Sequence, residues 1–141
     1  MTYDELLIEA DDTGLIVKEA PLCSSDGRCK GNRIAIRKDI ATSTRKADVL
    51  AEELGHYHTT VGDIIEMQGI EDEKQERAAR LWAYNKQIGL SAIVAAFKAH
   101  CSDRFEIAEF LNVSEDFLQE ALECYRPVSY THLTLPTIYS V

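Results

Sequence analysis

The chain has 141 residues, of which 45% are hydrophobic and 28% are charged, as is usual for one soluble globular domain with or without a small subdomain. Its formal net charge of −9 repels nucleic-acid phosphates unless basic residues cluster locally. No apolar run approaches the ~20 residues of a membrane span, and the acidic start lacks the basic region of a signal peptide. We therefore expect a cytoplasmic protein that neither binds nucleic acid directly nor enters a membrane.

The first 40 residues predict one helix followed by a small sheet. Apolar residues recur at helical spacing from Thr2 to Asp12, which predicts an amphipathic helix. A β-rich segment at 15–19 and a strictly alternating segment at 33–37 follow, with a turn at 24–27 between them. We expect the two strands to pair as a small antiparallel sheet, with one face of 33–37 buried.

The chain beyond this sheet is predicted to be helical. Thr42 or Ser43 can cap a helix that runs to about His58. Ser114 is expected to cap the last helix in the same way. Further helices are predicted over 72–87, 91–100, 104–111 and 114–125. The fold class is therefore α+β, mainly helical with a small antiparallel β-sheet.

The tail differs in composition from the rest of the chain. It has no charged residue after Arg126, and its segment 129–137 resembles a peptide that arises when sequencing-adapter DNA is translated. We interpret residues 127–141 as disordered or as a sequencing artefact. They are given no function, and His132 is discounted as a ligand.

Residues 52–56, Glu-Glu-Leu-Gly-His, lie on the predicted helix and differ from the zinc-protease pattern His-Glu-x-x-His only at the first position. Because residues four apart share a helix face, Glu52 and His56 can point at one metal ion, and carboxylates and imidazoles both bind zinc. Glu53 stands where zinc peptidases have their general base. A mid-helix glycine costs ~1 kcal/mol relative to alanine, so Gly55 suggests that another chain segment approaches closely there.

A catalytic zinc site needs a third protein ligand. The best candidate is Glu76 on the following helix, where small Ala79 lets two helices pack closely. His58 is an alternative ligand. On a continuing helix it would face away from His56, so it could ligate only if the helix ended near Tyr57. Acidic helix faces are common and a lone histidine is more often a surface residue, so spacing alone does not establish a metal site.

The order of these elements resembles the ImmA/IrrE family of bacterial and phage metallo-endopeptidases. The resemblance covers roughly residues 2–125 and includes Leu-Ala-Glu-Glu-Leu-Gly-His and Glu-x-x-Ala-x-x-Trp-Ala. It implies a zincin-like domain in which His56 and Glu76 are metal ligands and Glu53 is the catalytic base. Glu52 stands in place of the family's first histidine, a substitution that recurs among phage-type members, and would be the remaining ligand.

The resemblance also implies a function and a partner. A member would be a zinc-dependent endopeptidase that cleaves a helix-turn-helix transcriptional repressor of a phage or mobile element. The alternative is a non-catalytic protein-binding module that lacks tight zinc and antagonises a repressor by docking alone. In both cases the repressor protein is the expected partner.

The C-terminal part has the rhythm of a helix-turn-helix over residues 107–118. A DNA-reading helix needs Arg, Lys, Asn or Gln on its exposed face. Here Gln119 is the only candidate among several acidic residues. We therefore expect residues 1–89 to form the zincin-like domain and residues 90–126 to form a C-terminal helical, helix-turn-helix-like subdomain that is structural or docks the repressor, followed by the tail, 127–141.

Overall fold

The computed structural model describes residues 1–60 and 70–125, so the interpretation of the tail and of residues 61–69 as a connection lies outside these ranges. Within them the chain is mostly helical, with a small three-stranded sheet, which confirms the α+β class. The elements are α1 (Tyr3–Asp12), β1 (Ile16–Ala20), β2 (Gly27–Lys30), β3 (Arg33–Arg37), α2 (Ser43–Thr60), α3 (Ile70–Gln87), α4 (Gly89–Lys98), α5 (Arg104–Leu111) and α6 (Glu115–Cys124).

Side-chain caps fix the starts of four of these helices, α1, α2, α5 and α6. The Thr42 hydroxyl accepts a hydrogen bond from the backbone N–H of Arg45 at 3.1 Å, so Thr42 rather than Ser43 caps α2. The Ser114 hydroxyl accepts one from the N–H of Phe117 at 3.1 Å, which confirms the predicted cap of α6. Each cap satisfies a backbone donor that has no partner within the helix.

The sheet is mixed, and the predicted antiparallel pairing of its first and last strands is wrong. Its strand order is β1-β3-β2. β1 pairs with β3 in parallel, with Ile16 opposite Arg33, whereas β2 pairs with β3 antiparallel. The chain reverses direction twice, before β2 and again at Gly31, whose φ is +61°, so β3 returns parallel to β1.

One face of the sheet packs against α2. Ile34 and Ile36 of β3 are buried as predicted, and so is the apolar stripe of α2. Leu118 and Leu122 of α6 belong to the same core cluster. The division into residues 1–89 and 90–126, and the helix-turn-helix character of α5 and α6, stay predictions. No helix in the described ranges is both long and apolar enough to cross a membrane.

Candidate metal centre

α2 and α3 approach each other closely where a glycine meets an alanine backbone. A β-carbon built on Gly55 would overlap the carbonyl oxygen of Ala79 and lie 3.0 Å from its carbonyl carbon. Both residues are buried. This close contact explains why residue 55 is a glycine although it lies in the middle of a helix. It also brings neighbouring side chains of α2 and α3 opposite each other.

This contact places His56 of α2 beside Glu76 of α3. The imidazole Nε2 lies 3.4 Å from the carboxylate Oε2, and the two side chains are 28% and 47% exposed. Two donors bound to one tetrahedral zinc ion at about 2.1 Å are themselves about 3.4 Å apart. The spacing therefore suits an ion pair or two ligands of one metal, and both donor types are ordinary zinc ligands.

Glu52 lies one helical turn before His56, within electrostatic range of Arg80 on α3 and Glu120 on α6. Burial raises the pKa of Glu52, an effect that nearby Arg80 opposes and Glu120 reinforces. Its carboxylate is thus partly withdrawn from water in an acidic environment, with two compensating guanidinium groups, those of Arg80 and Arg45. A bound cation would favour the ionised form of such a group.

The three predicted ligands do not form a complete metal site within the part of the chain that the structure describes. Among those residues, no three His, Cys, Asp or Glu side chains are close enough together to hold one metal ion. The structure brings together His56 and Glu76 and leaves Glu52 as an electrostatic neighbour. His56 and Glu76 therefore fit zinc as a pair, and a third donor would have to move towards them.

The alternative ligand, His58, points to a different side of α2. The helix continues to Thr60, so His58 cannot share a face with His56, two residues earlier. Its ring stacks on Trp82 with centroids 4.7 Å apart and planes at 16°. Burial lowers the pKa of His58, as does Lys86.

The side chain of Glu53, which belongs to α2, packs against the edge strand β2. It is 9% exposed, and a β-carbon built on Gly27 would lie 2.8 Å from its Oε2 atom. Burial, together with the carboxylates of Glu52 and Glu76, raises the pKa of Glu53 to about 7. A carboxyl group that titrates near neutral pH can both accept and return a proton, as a general base must.

β2 is the part of this site that the sequence analysis missed. The strand has four residues, and two of them, Arg28 and Lys30, are charged and exposed. Cys29 is its only sizeable apolar side chain, and burial together with Glu53 raises the pKa of the Cys29 thiol to about 11. The sequence predicts that Gly27 belongs to a turn. A requirement for close approach to Glu53 was not visible from local pattern.

Comparison with known proteins decides the family. The model of the IrrE N-terminal-like domain, a peptidase family, matches residues 10–123. The chain belongs to this family. The match confirms the predicted ImmA/IrrE membership and extends over both predicted domains, from the end of α1 to the end of α6. Searches of curated proteins and of solved structures gave no match. A metallopeptidase-like function follows from the family, whose peptidases are typically metal-dependent.

Proposed function

We propose that this IrrE-family chain is a zinc-dependent endopeptidase in which Glu53 is the general base. The observation that carries the proposal is the placement of Glu53. It lies buried on α2 beside the pair formed by His56 and Glu76, and its pKa is raised to about 7. Raised carboxyl pKa values of this kind cluster at functional sites.

The metal ligands in this proposal are His56, Glu76 and Glu52. His56 and Glu76 already have suitable spacing, and Glu52 would complete the set by a change of its flexible side chain. A zinc ion held there would act as a Lewis acid towards the scissile carbonyl and towards water. The additional negative charge of Glu52, compared with histidine, would weaken that Lewis acidity, and Arg80 offsets part of the charge.

Glu53 would handle the proton in both halves of the reaction. As a carboxylate it removes a proton from water while the water oxygen bonds to the carbonyl carbon of the peptide. The carbon–nitrogen bond then breaks, and the leaving nitrogen takes the proton from Glu53. The ionised group is needed first and its protonated form second, as in general base catalysis followed by return of the proton.

The edge of the sheet suits an extended polypeptide substrate. β2 pairs only with β3 among the described residues, so its outer edge offers backbone donors and acceptors to an added strand. Gly27, at one end of β2, lies against Glu53. We propose that the substrate is a helix-turn-helix transcriptional repressor of a phage or mobile element, as the family resemblance implies, and that an extended segment of it is cleaved.

Replacement of the base tests the proposal. The Glu53→Gln variant should keep the fold and the zinc content yet lose cleavage of a helix-turn-helix repressor substrate by about 10²–10⁴-fold, the usual contribution of a general base. Cleavage is followed by mass spectrometry of the fragments. Glu73→Gln, at an exposed site on α3, is the matched control and should cleave normally. Undiminished cleavage by Glu53→Gln would remove the proposed role.

A non-catalytic module that antagonises a repressor by docking is the second candidate. It is favoured by one observation, the absence of a closed set of three ligands within residues 1–60 and 70–125. Elemental analysis of protein purified without chelator separates the two functions. Zinc near one equivalent that is lost in His56→Ala supports the enzyme. Repressor binding without zinc or cleavage supports the module.

A further inference from the structure

An open cleft lies between α3 and α6, beside the candidate metal centre. Its volume is about 400 Å³. Both guanidinium and carboxylate groups reach it. Its lining residues are Arg77, Arg80, Tyr84, Glu120, Glu123 and Cys124. The proposed chemistry uses only Arg80 among these residues, as a countercharge for Glu52, and neither that chemistry nor the family match assigns a ligand to the cleft.

The cleft adjoins the proposed peptidase site along α3. Arg80 lies four residues after Glu76 on α3, so the two side chains share a helix face. Arg80 and Glu120, which both line the cleft, are also the charged groups that act most strongly on Glu52. Four residues of helix span about 6 Å, which corresponds to about two residues of an extended peptide.

In the cleft, the carboxylates have hydrogen-bond partners among the described residues and the guanidinium groups do not. The Tyr84 hydroxyl donates to Glu120 at 3.1 Å, and the Gln119 amide donates to Glu123 at 2.8 Å. Both carboxylates therefore have partners. By contrast, neither arginine in the cleft forms a hydrogen bond or ion pair with any residue in the described ranges, although each guanidinium carries five N–H donors. The cleft therefore offers mainly hydrogen-bond donors and positive charge, both supplied by its two arginines.

We propose that this cleft binds an acidic side chain of the substrate, with Arg77 and Arg80 donating to its carboxylate. Arginine suits this role because its planar fork matches a carboxylate in a bidentate arrangement. The inference rests on the proposed function for the peptide nature of the ligand. It makes the two arginines specificity-determining residues, and it places an Asp or Glu within about two residues of the scissile bond.

A titration followed by NMR tests the subsite without any cleavage. The probes are N-acetylglutamate amide and N-acetylglutamine amide, which differ in one charged group, added at constant ionic strength to ¹⁵N-labelled Glu53→Gln protein with and without zinc. The glutamate compound should shift the Nε–Hε signals of Arg77 and Arg80 and the α6 amides in a saturable manner. Binding of the glutamine compound should be about tenfold weaker or absent, because charge-assisted bonds are the stronger ones.

Variants make the assignment specific. Arg80→Gln and Arg77→Gln should each reduce the saturable shifts, whereas Arg104→Gln, at an exposed arginine of α5, should leave them unchanged. Equal binding of both probes, no saturable shift with either, or stronger binding of N-acetyllysine amide through Glu120 and Glu123 would overturn the proposal. The titration does not measure hydrolysis, so it can be interpreted even if the cleavage test fails. Conversely, a failed titration would overturn the subsite but not the proposed peptidase function.

Discussion

At the scale of single residues, Asp48 is a buried polar group that lies one turn before Glu52 on α2. It is 1% exposed. Its Oδ2 atom accepts a hydrogen bond from the backbone N–H of Ser114 at 3.3 Å, and its Oδ1 atom has no partner among the described residues. Burial raises the pKa of Asp48 to about 6, although the bonds from Ser114 lower it. An ionised carboxylate that is half satisfied destabilises the fold.

Asp48→Asn should stabilise the zinc-free protein at high pH only. The folded-state pKa of about 6 lies above the ordinary value of 3.8, so the folded state binds more protons between these values and stability falls as pH rises through that window. Asparagine removes this loss. We expect a gain on the order of 1–3 kcal/mol at pH 8 and none near pH 4, measured by urea unfolding.

The control for this substitution is Asp12→Asn, at an exposed aspartate at the end of α1. It removes one negative charge without changing a buried group. A gain from Asp48→Asn that is the same at both pH values would contradict the assigned cause, because the effect would then be general charge repulsion or packing.

The site residues differ in how far the sequence could place them. The helical repeat correctly put Glu52, Glu53 and His56 on α2, and the small residues around position 79 predicted the close contact that positions Glu76. The burial of Asp48 could not be predicted in this way, because its partner is the N–H of Ser114, 66 residues away. The role of Arg80 likewise depends on the packing of α6 against α3.

At the scale of elements, local signals were sufficient for the helices and insufficient for the sheet. Caps and periodicity act within a few residues, so the helix positions were largely correct. Pairing of strands is decided by segments far apart in sequence. Ile16 of β1 pairs with Arg33 of β3, although β2 lies between the two strands in the sequence. β2 itself, a four-residue strand with two exposed basic residues, carries almost no periodic signal. The parallel pairing was therefore missed.

The contact between α2 and α3 can be tested at its narrowest point. Gly55→Ala should destabilise the protein by about 2–4 kcal/mol, because the added methyl group meets the backbone of Ala79, which cannot rotate away. This sign opposes intrinsic helix propensity, which favours alanine by ~1 kcal/mol. Urea unfolding measures the change, and zinc affinity should fall with it because His56 moves relative to Glu76.

The matched control is the reverse change at a neighbouring exposed site. Ala78→Gly on α3 should cost about 1 kcal/mol through propensity alone. If Gly55→Ala instead stabilised the protein by a similar amount, the two helices would have room to separate there. The explanation of the mid-helix glycine would then be wrong.

At the scale of the whole molecule, composition and element order predicted the α+β class and the family, both of which hold. The sequence could not show how α6 completes the core with α2. Buried side chains from α1 through α6 form one cluster, so the helices after residue 89 support the helix that carries Glu53. The third metal ligand is also a property of the whole arrangement, since it depends on how α2, α3 and α6 meet.

The sheet has a consequence for the order of folding. Its central strand, β3, is the last of the three in the chain, so neither β1 nor β2 has a ladder partner until β3 is in place. We expect the transition state for folding to require β3. Ile36→Val should cost about 1 kcal/mol and act mainly by slowing folding, whereas the same change at Ile107 on α5 should mainly speed unfolding.

Stopped-flow chevron plots distinguish the two variants, and equal effects on both rates in both proteins would contradict the expectation. Ile36 and Ile107 are similarly buried, at 0% and 4% exposure, so a difference between them would come from timing and not from the size of the lost contact. Until residues 33–37 are available, the earlier strands would remain unpaired edges. The nascent chain would therefore be most vulnerable to aggregation and proteolysis just before its third strand is made.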